Sequence, residues 1–248
     1  TNVLIMESYF TAEFFKQNRQ KLRSLFKGTA PIVITANGLL QRSGDATFPF
    51  RQDSNFWYLT GISEPDVLLV LDKSKEYLIV PQREDVRAKF DGQLNTADMT
   101  RRSGISSVLD EKEGWRQLGG RLQRVKHAAT LAPAPAYIEQ FGFYTNPARH
   151  RLANKLKETN SALELLDLTP HFVRLRMVKQ APELAALRSS IDLTVKAFKK
   201  VSKQLSKYKF EYEVEADITQ IFQKSGIIHA YAPIVAAGQN GCTLHYVV

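Results

Sequence analysis

Along residues 11–26 the apolar side chains of Phe14, Phe15, Leu22, Leu25 and Phe26 recur at steps that place them on one face of a helix, with Gly28 as a stop. The period then changes. Pro31-Ile32-Val33-Ile34-Thr35 is a short buried-strand candidate followed by the Asn37-Gly38 turn signal. Val67-Leu68-Leu69-Val70-Leu71 has no polar position, as a central strand covered on both faces requires. After the charged stretch 72–76, Tyr77-Leu78-Ile79-Val80 predicts a second strand that pairs with the first as a hairpin. Residues 115–125 predict a helix, 128–131 a strand and 147–157 a further helix. Strands and helices thus alternate to about residue 165, which predicts an α/β fold with a mixed β-sheet flanked by helices.

Past that point the alternation ends. Thr169-Pro170 opens a short helix, and Ala181-Pro182-Glu183 begins a long one, with proline in the first turn and an acid beside it. Leu184, Leu187, Ile191, Val195, Phe198, Val201 and Leu205 form its apolar stripe. A second helix over 211–224 is expected to end at Gly226 in a left-handed cap. The expected division is one domain over 1–174 and the start of another over 175–248. In the last segment, Pro233-Ile234-Val235 and Leu244-His245-Tyr246-Val247-Val248 flank a Gly/Asn-rich turn. Both flanks are β-prone, so a tight hairpin presenting His245 is predicted. The chain stops three residues past His245, inside that predicted strand, so it reads as the front part of a longer enzyme.

Composition works mainly by exclusion. Basic side chains outnumber acidic ones 24 to 19 before residue 175 and 10 to 6 from there on, so the excess is spread out. Lys196, Lys199, Lys200, Lys203 and Lys207 do cluster, but on a helix whose other face is apolar, which reads as a solvated face and not a nucleic-acid stripe. No apolar run approaches a membrane span. The single cysteine, Cys242, cannot form an internal disulfide, which suits a reducing cytoplasm; with no basic partner nearby it reads as packing, not as a catalytic thiol. His127, His150, His171 and His229 show no i, i+4 pairing of the kind a helical metal site uses.

Two segments carry a family resemblance. Residues 42–61, RSGDATFPFRQDSNFWYLTG, continue through Glu64-Pro65-Asp66 into the apolar strand and resemble the signature of the N-terminal domain of aminopeptidase P, the Xaa-Pro aminopeptidases of the creatinase/prolidase group. Residues 234–246, IVAAGQNGCTLHY, are similar to the opening of that family's α+β "pita-bread" catalytic domain. Between them, Leu175-Arg176-Met177-Val178-Lys179 and the Pro182-Glu183 helix start resemble the family's interdomain junction.

The resemblance implies a creatinase-like N-terminal domain, a truncated catalytic domain, and a metallopeptidase that releases an N-terminal residue preceding proline. It implies two divalent metal ions, usually manganese, held by two Asp, one His and two Glu. All five ligands match positions beyond Val248, so none is carried over onto this chain, and the fragment alone is expected to be inactive. Asp192, Glu211, Glu213, Glu215 and Asp217 precede the second motif and are not ligand candidates. His245 is the catalytic residue the resemblance assigns within the chain: an imidazole at the pocket edge can hydrogen-bond the tetrahedral intermediate or protonate the leaving amine.

In the first motif, Phe48, Phe50, Phe56, Trp57 and Tyr58 read as core and interdomain packing, and Arg51 and Asp53 as hydrogen-bonding the turn around Gly61. Asp45 and Phe90 match family positions near the wall of a neighbouring subunit's substrate pocket; Phe90 stands where bacterial relatives commonly have tryptophan. The expected setting is a cytoplasmic homo-oligomer acting on peptides with proline second, without nucleic acid or membrane partners. Two alternatives stay open: a prolidase restricted to Xaa-Pro dipeptides, and a pseudo-enzyme that uses the fold as a binding module.

Overall fold

A computed structural model describes residues 9–83, 88–90, 92–134, 140–142 and 144–246. The chain forms two compact units, one spanning Thr11–Val178 and one that groups Tyr9 and Phe10 with the residues from Lys179 onward.

The first unit is built on a six-stranded mixed sheet. Its strands are β1 (Ile32–Thr35), β4 (Leu68–Asp72), β5 (Lys75–Val80), β6 (Val108–Asp110), β7 (His127–Thr130) and β8 (Glu164–Asp167), in the order β6-β5-β4-β1-β7-β8. The expected hairpin is the antiparallel pair β4–β5, with Val70 opposite Tyr77 and Leu69 opposite Leu78. β1 pairs antiparallel with β4 and parallel with β7, so the sheet changes sense at its centre. A separate small hairpin joins β2 (Gln41–Ser43) to β3 (Ala46–Thr47).

Side-chain alternation sends successive residues of each central strand to opposite faces. On one face Val33, Val70, Tyr77 and Ile79 form a cluster with Leu118 and Leu122 of α4 (Glu111–Leu122) and Leu152 and Leu156 of α5 (Ala148–Thr159). Glu76, one position out of register with that cluster, meets Arg19 of α1 (Ala12–Phe26) on the other face. Layers on both faces explain why β4 has no polar position before Asp72.

Caps set the helix starts. The Thr11 hydroxyl accepts from the Phe14 amide at α1, and Asp110 accepts from the Glu113 amide at 2.9 Å at α4. That cap starts α4 at Glu111, four residues before the apolar periodicity suggests. The Asn95 side chain likewise caps α3 (Thr96–Ser103), a helix the apolar pattern does not announce.

Arg19 is fully buried although charged. Its Nε and one terminal nitrogen donate to both oxygens of Glu76 at 3.1 and 2.8 Å, and its other terminal nitrogen donates to the Leu59 carbonyl at 2.8 Å. Beside it the Asn18 amide donates to the Tyr58 carbonyl at 2.9 Å. Both carbonyls lie in α2 (Ser54–Thr60), so two polar side chains of α1 fix that short helix against the hairpin.

The second unit pairs α7 (Ala181–Gln204) with α8 (Glu211–Lys224). α6 (Thr169–Met177), the short proline-opened helix, belongs to the first unit. Gly226 takes φ 70°, the left-handed conformation expected after α8. The stripe of α7 is solvent-facing among the described residues: Leu184, Leu187, Ile191, Val195 and Phe198 are 41–62% exposed.

Replacing Arg19 by Ala leaves the Glu76 carboxylate and the Leu59 carbonyl without their donors. Because Glu76 retains 26% exposure, the expected loss sits at the lower end for a broken buried pair, about 3 kcal/mol by urea denaturation. A loss below about 1 kcal/mol would show that the pair does not organise this face.

Candidate functional site

The site in the second unit grows from the first turn of α8. Glu213, at its third position, reaches back and accepts from the Lys209 and Phe210 amides at 2.6 and 2.9 Å, satisfying donors that precede the helix. Glu211, in the same turn, faces a different segment. Its carboxylate accepts from the Ala237 amide, from the Asn240 side-chain amide at 3.1 and 3.2 Å, and from the Tyr246 hydroxyl at 3.1 Å. Asn240 also donates to the Tyr246 hydroxyl oxygen at 2.9 Å. One side chain thus closes the segment from Ala237 to Tyr246 at both ends and in its middle.

That segment is not the predicted hairpin. Gly238–Cys242 is a 3₁₀ turn, with Gly238 at φ 55°, and Leu244 and His245 lie in a further turn. A strand exists only with a ladder partner, and among the described residues the second unit contains no strand. Glu211 and the turn bonds Asn240 N–H to Ala237 and Thr243 N–H to Asn240, at 3.1 and 3.0 Å, take up the polar groups instead. Val247 and Val248 of the predicted second strand lie outside the described residues. His245 is exposed, one residue before the anchored Tyr246.

The electrostatics follow from the donors. The Ala237 amide, then Asn240 and Tyr246, hold the Glu211 carboxyl below the usual glutamate value. Partial desolvation, and the proton held toward Glu211, push the Tyr246 hydroxyl up. A second knot lies on the α7–α8 pair: Asp217 accepts from Lys200 at 2.8 Å and from the Tyr208 hydroxyl at 2.6 Å, which pushes that hydroxyl up to about 12. His229 contacts the Thr219 hydroxyl at 2.8 Å and packs on the Phe222 ring, a packing role.

In the first unit, Asp45 sits in the exposed β2–β3 turn and Phe90 is 85% exposed. The remainder of the first motif is a structural joint. Asp53 caps α2, accepting from the Asn55 and Phe56 amides at 2.9 Å each, and pairs with Arg149 at 2.6 Å. The turn after Gly61 is held instead by Gln52, whose amide donates to the Ile62 and Glu64 carbonyls at 3.2 and 2.9 Å while its oxygen accepts from Asn37 and Asp53 amides. Among the described residues Arg51 contributes its carbonyl, to the Asn37 side chain, so the expected Arg51 and Asp53 contacts to that turn are corrected. Phe56 and Tyr58 are core, but Phe48, next to the outlying hairpin, is 52% exposed and so not part of the core.

Among the described residues no three His, Cys, Asp or Glu side chains gather to hold a metal ion. Glu211, Glu213 and Asp217 are engaged as above, so the side chains present do not fit a two-metal centre. None of the helices, among the described residues, is long and apolar enough to cross a membrane. Local spacing gives no sign of Glu211 as an anchor, since its partners lie 26 to 35 positions away.

Comparisons with known proteins follow the two units. Residues 15–129 match the family described as "Aminopeptidase P, N-terminal domain", and residues 185–248 match "Metallopeptidase family M24". The chain is similar to the Xaa-Pro aminopeptidase of Escherichia coli, 28% identical over 96% of this chain and 55% of that protein. It is also similar to human Xaa-Pro aminopeptidase 3, 27% identical over 92% of this chain and 48% of that protein. Among solved structures it superposes on E. coli aminopeptidase P in its low-pH form with a TM-score of 0.76 at 28% identity, covering 96% of this chain and 55% of that one. Proline aminopeptidase P II from Yersinia pestis gives 0.74 at 29% identity, covering 96% and 56%. The chain spans about half the length of the curated relatives it matches.

The depressed Glu211 value fixes the sign of a pH effect. A carboxylate whose folded value lies below its unfolded one contributes in full above the unfolded value, about 4.3, and its contribution disappears as pH falls through the folded value. Hydrogen-exchange protection of the Ala237 amide is therefore expected to hold down to about pH 5 and to fail on further acidification. Glu211→Gln is expected to abolish that dependence. Protection unchanged at about pH 2 would exclude the carboxylate as the anchor.

Proposed function

We propose that the chain belongs to the aminopeptidase P family, whose models and relatives it matches, and that the full-length protein is a metal-dependent Xaa-Pro aminopeptidase. One observation supports this above the others: two family matches lie on the chain in the order found in relatives that share 96% of its length. On this reading residues 1–174 form the N-terminal domain and the catalytic domain starts near residue 175. The metal centre, which we read as two manganese ions, belongs to the part of the relatives' length that the match does not span.

His245 is the catalytic group this chain contributes. Its imidazole is exposed, whereas His229 packs on Phe222, and it can donate a hydrogen bond to a developing oxyanion or a proton to a leaving amine. A dedicated site for Xaa-Pro bonds follows from the bond itself, a tertiary amide with no N–H for a main-chain grip and a more variable isomer state. The setting we propose is a cytoplasmic homo-oligomer in which Asp45 and Phe90 border a neighbouring subunit's pocket, which accords with their exposure.

The test is full-length protein given manganese with an Xaa-Pro-Xaa tripeptide, an Xaa-Pro dipeptide and an Xaa-Ala-Xaa control. Release of the first residue from the tripeptide is expected, and a chelator abolishes it. His245→Ala lowers kcat by roughly 100-fold or more. Release from the dipeptide alone would make the protein a prolidase, and no release from any peptide would leave a binding module.

A further inference from the structure

The structure points to a residue that sets the position of His245, and we infer that Glu211 is that positioning residue. The inference rests on the reading of His245 as catalytic. The geometry behind it is independent of that reading.

Among the described residues His245 has no strand partner, and the hydrogen bonds that hold its segment are therefore those of side chains and turns. Hydrogen bonds to Glu211 fix it instead. The Ala237 amide anchors the entry, the Asn240 side chain anchors the middle and the Tyr246 hydroxyl anchors the exit, all on one carboxylate. The cross-bond from Asn240 to the Tyr246 oxygen, at 2.9 Å, ties middle to exit. The imidazole is therefore attached one residue from the most C-terminal anchor, and the Thr243 N–H to Asn240 carbonyl bond at 3.0 Å restrains the other side.

The carboxylate is itself held. It occupies the first turn of a helix of 14 residues, whose end is secured by Glu213 through the Lys209 and Phe210 amides. A rigid element thus carries the anchor, and the anchor carries the loop. A carboxylate suits the task better than an amide. Both of its oxygens accept, so it takes three donors at once, whereas Gln would turn an –NH2 group toward Asn240 or Tyr246. Reacting groups lose activity steeply when displaced by an ångström or so. Loosening this loop is therefore expected to lower kcat far more than substrate binding.

The test is a double-mutant cycle on the full-length enzyme, with metal content and Tm recorded for each variant. Glu211→Gln alone is expected to lower kcat for a Xaa-Pro-Xaa peptide roughly 10- to 100-fold, with KM within about threefold and metal content unchanged. In a His245→Ala background the same substitution is expected to cost less than about twofold, because residues that act through one another are not additive. Exchange of the Ala237 amide is expected to quicken in Glu211→Gln, and Tyr246→Phe, which removes one donor, to give a smaller kcat loss. Additive losses, or a parallel loss of metal, would show that Glu211 acts elsewhere and overturn the inference while leaving His245 catalytic. A His245→Ala enzyme with normal kcat would overturn the underlying reading and the inference with it.

Discussion

A guanidinium taken wholly out of water must find fixed acceptors for its donors, because an unpaired buried charge is far more costly than any packing around it can offset. Arg19 meets that condition with both oxygens of Glu76 and the Leu59 carbonyl. The requirement propagates. α1 must present Arg19 at one height, the β4–β5 hairpin must present Glu76, and α2 must end where its carbonyls can be reached. One turn further along α1, Arg23 donates to the carbonyls of Lys73, in the hairpin turn, and Lys75, at the start of β5, and burial lowers its pKa. The register of hairpin against helix is thereby specified by directional bonds, where apolar contacts alone would allow sliding.

The same device recurs away from the sheet. Gln52 gathers Asn37, Asp53, Ile62 and Glu64 around one amide, and Glu211 gathers Ala237, Asn240 and Tyr246 around one carboxylate. In each case an irregular segment has backbone groups that no ladder satisfies, and one side chain, just before α2 for Gln52 and in the first turn of α8 for Glu211, supplies the partners. The family motif of residues 42–61 is for this reason largely a description of a joint: Asp53 caps α2 and pairs with Arg149, and Arg176 donates to Asn55 at 2.6 Å.

What could be read in the sequence divides along the same line. β4 and β5 were legible because a run without polar residues has few other places to go, and α8 because its acids and Gly226 mark both ends. α2 and α3 were not, since seven and eight residues span too few turns for an apolar stripe to show; their signals are the caps Asp53 and Asn95. The tail misleads for a different reason. Val235 and Tyr246 are β-prone, but propensity describes fit to a pleated surface and not a decision to form one. The deciding contact, Glu211 to Ala237, spans 26 positions and leaves no mark on local spacing. The motif located His245; only the fold could show what holds it.

The choice of partners around Glu211 has a physical consequence. Asp217, two turns along the same helix, draws on the Lys200 ammonium, and both ends of that pair stay partly exposed. Such a pair weakens as ionic strength rises. Glu211 takes an amide, a carboxamide and a phenol, none of them charged, so its hold depends on hydrogen-bond geometry and on the carboxylate staying ionised. Salt that screens the first contact leaves the second in place, while acid removes the second. The segment from Ala237 to Tyr246 is therefore held across changing ionic strength for as long as Glu211 stays ionised.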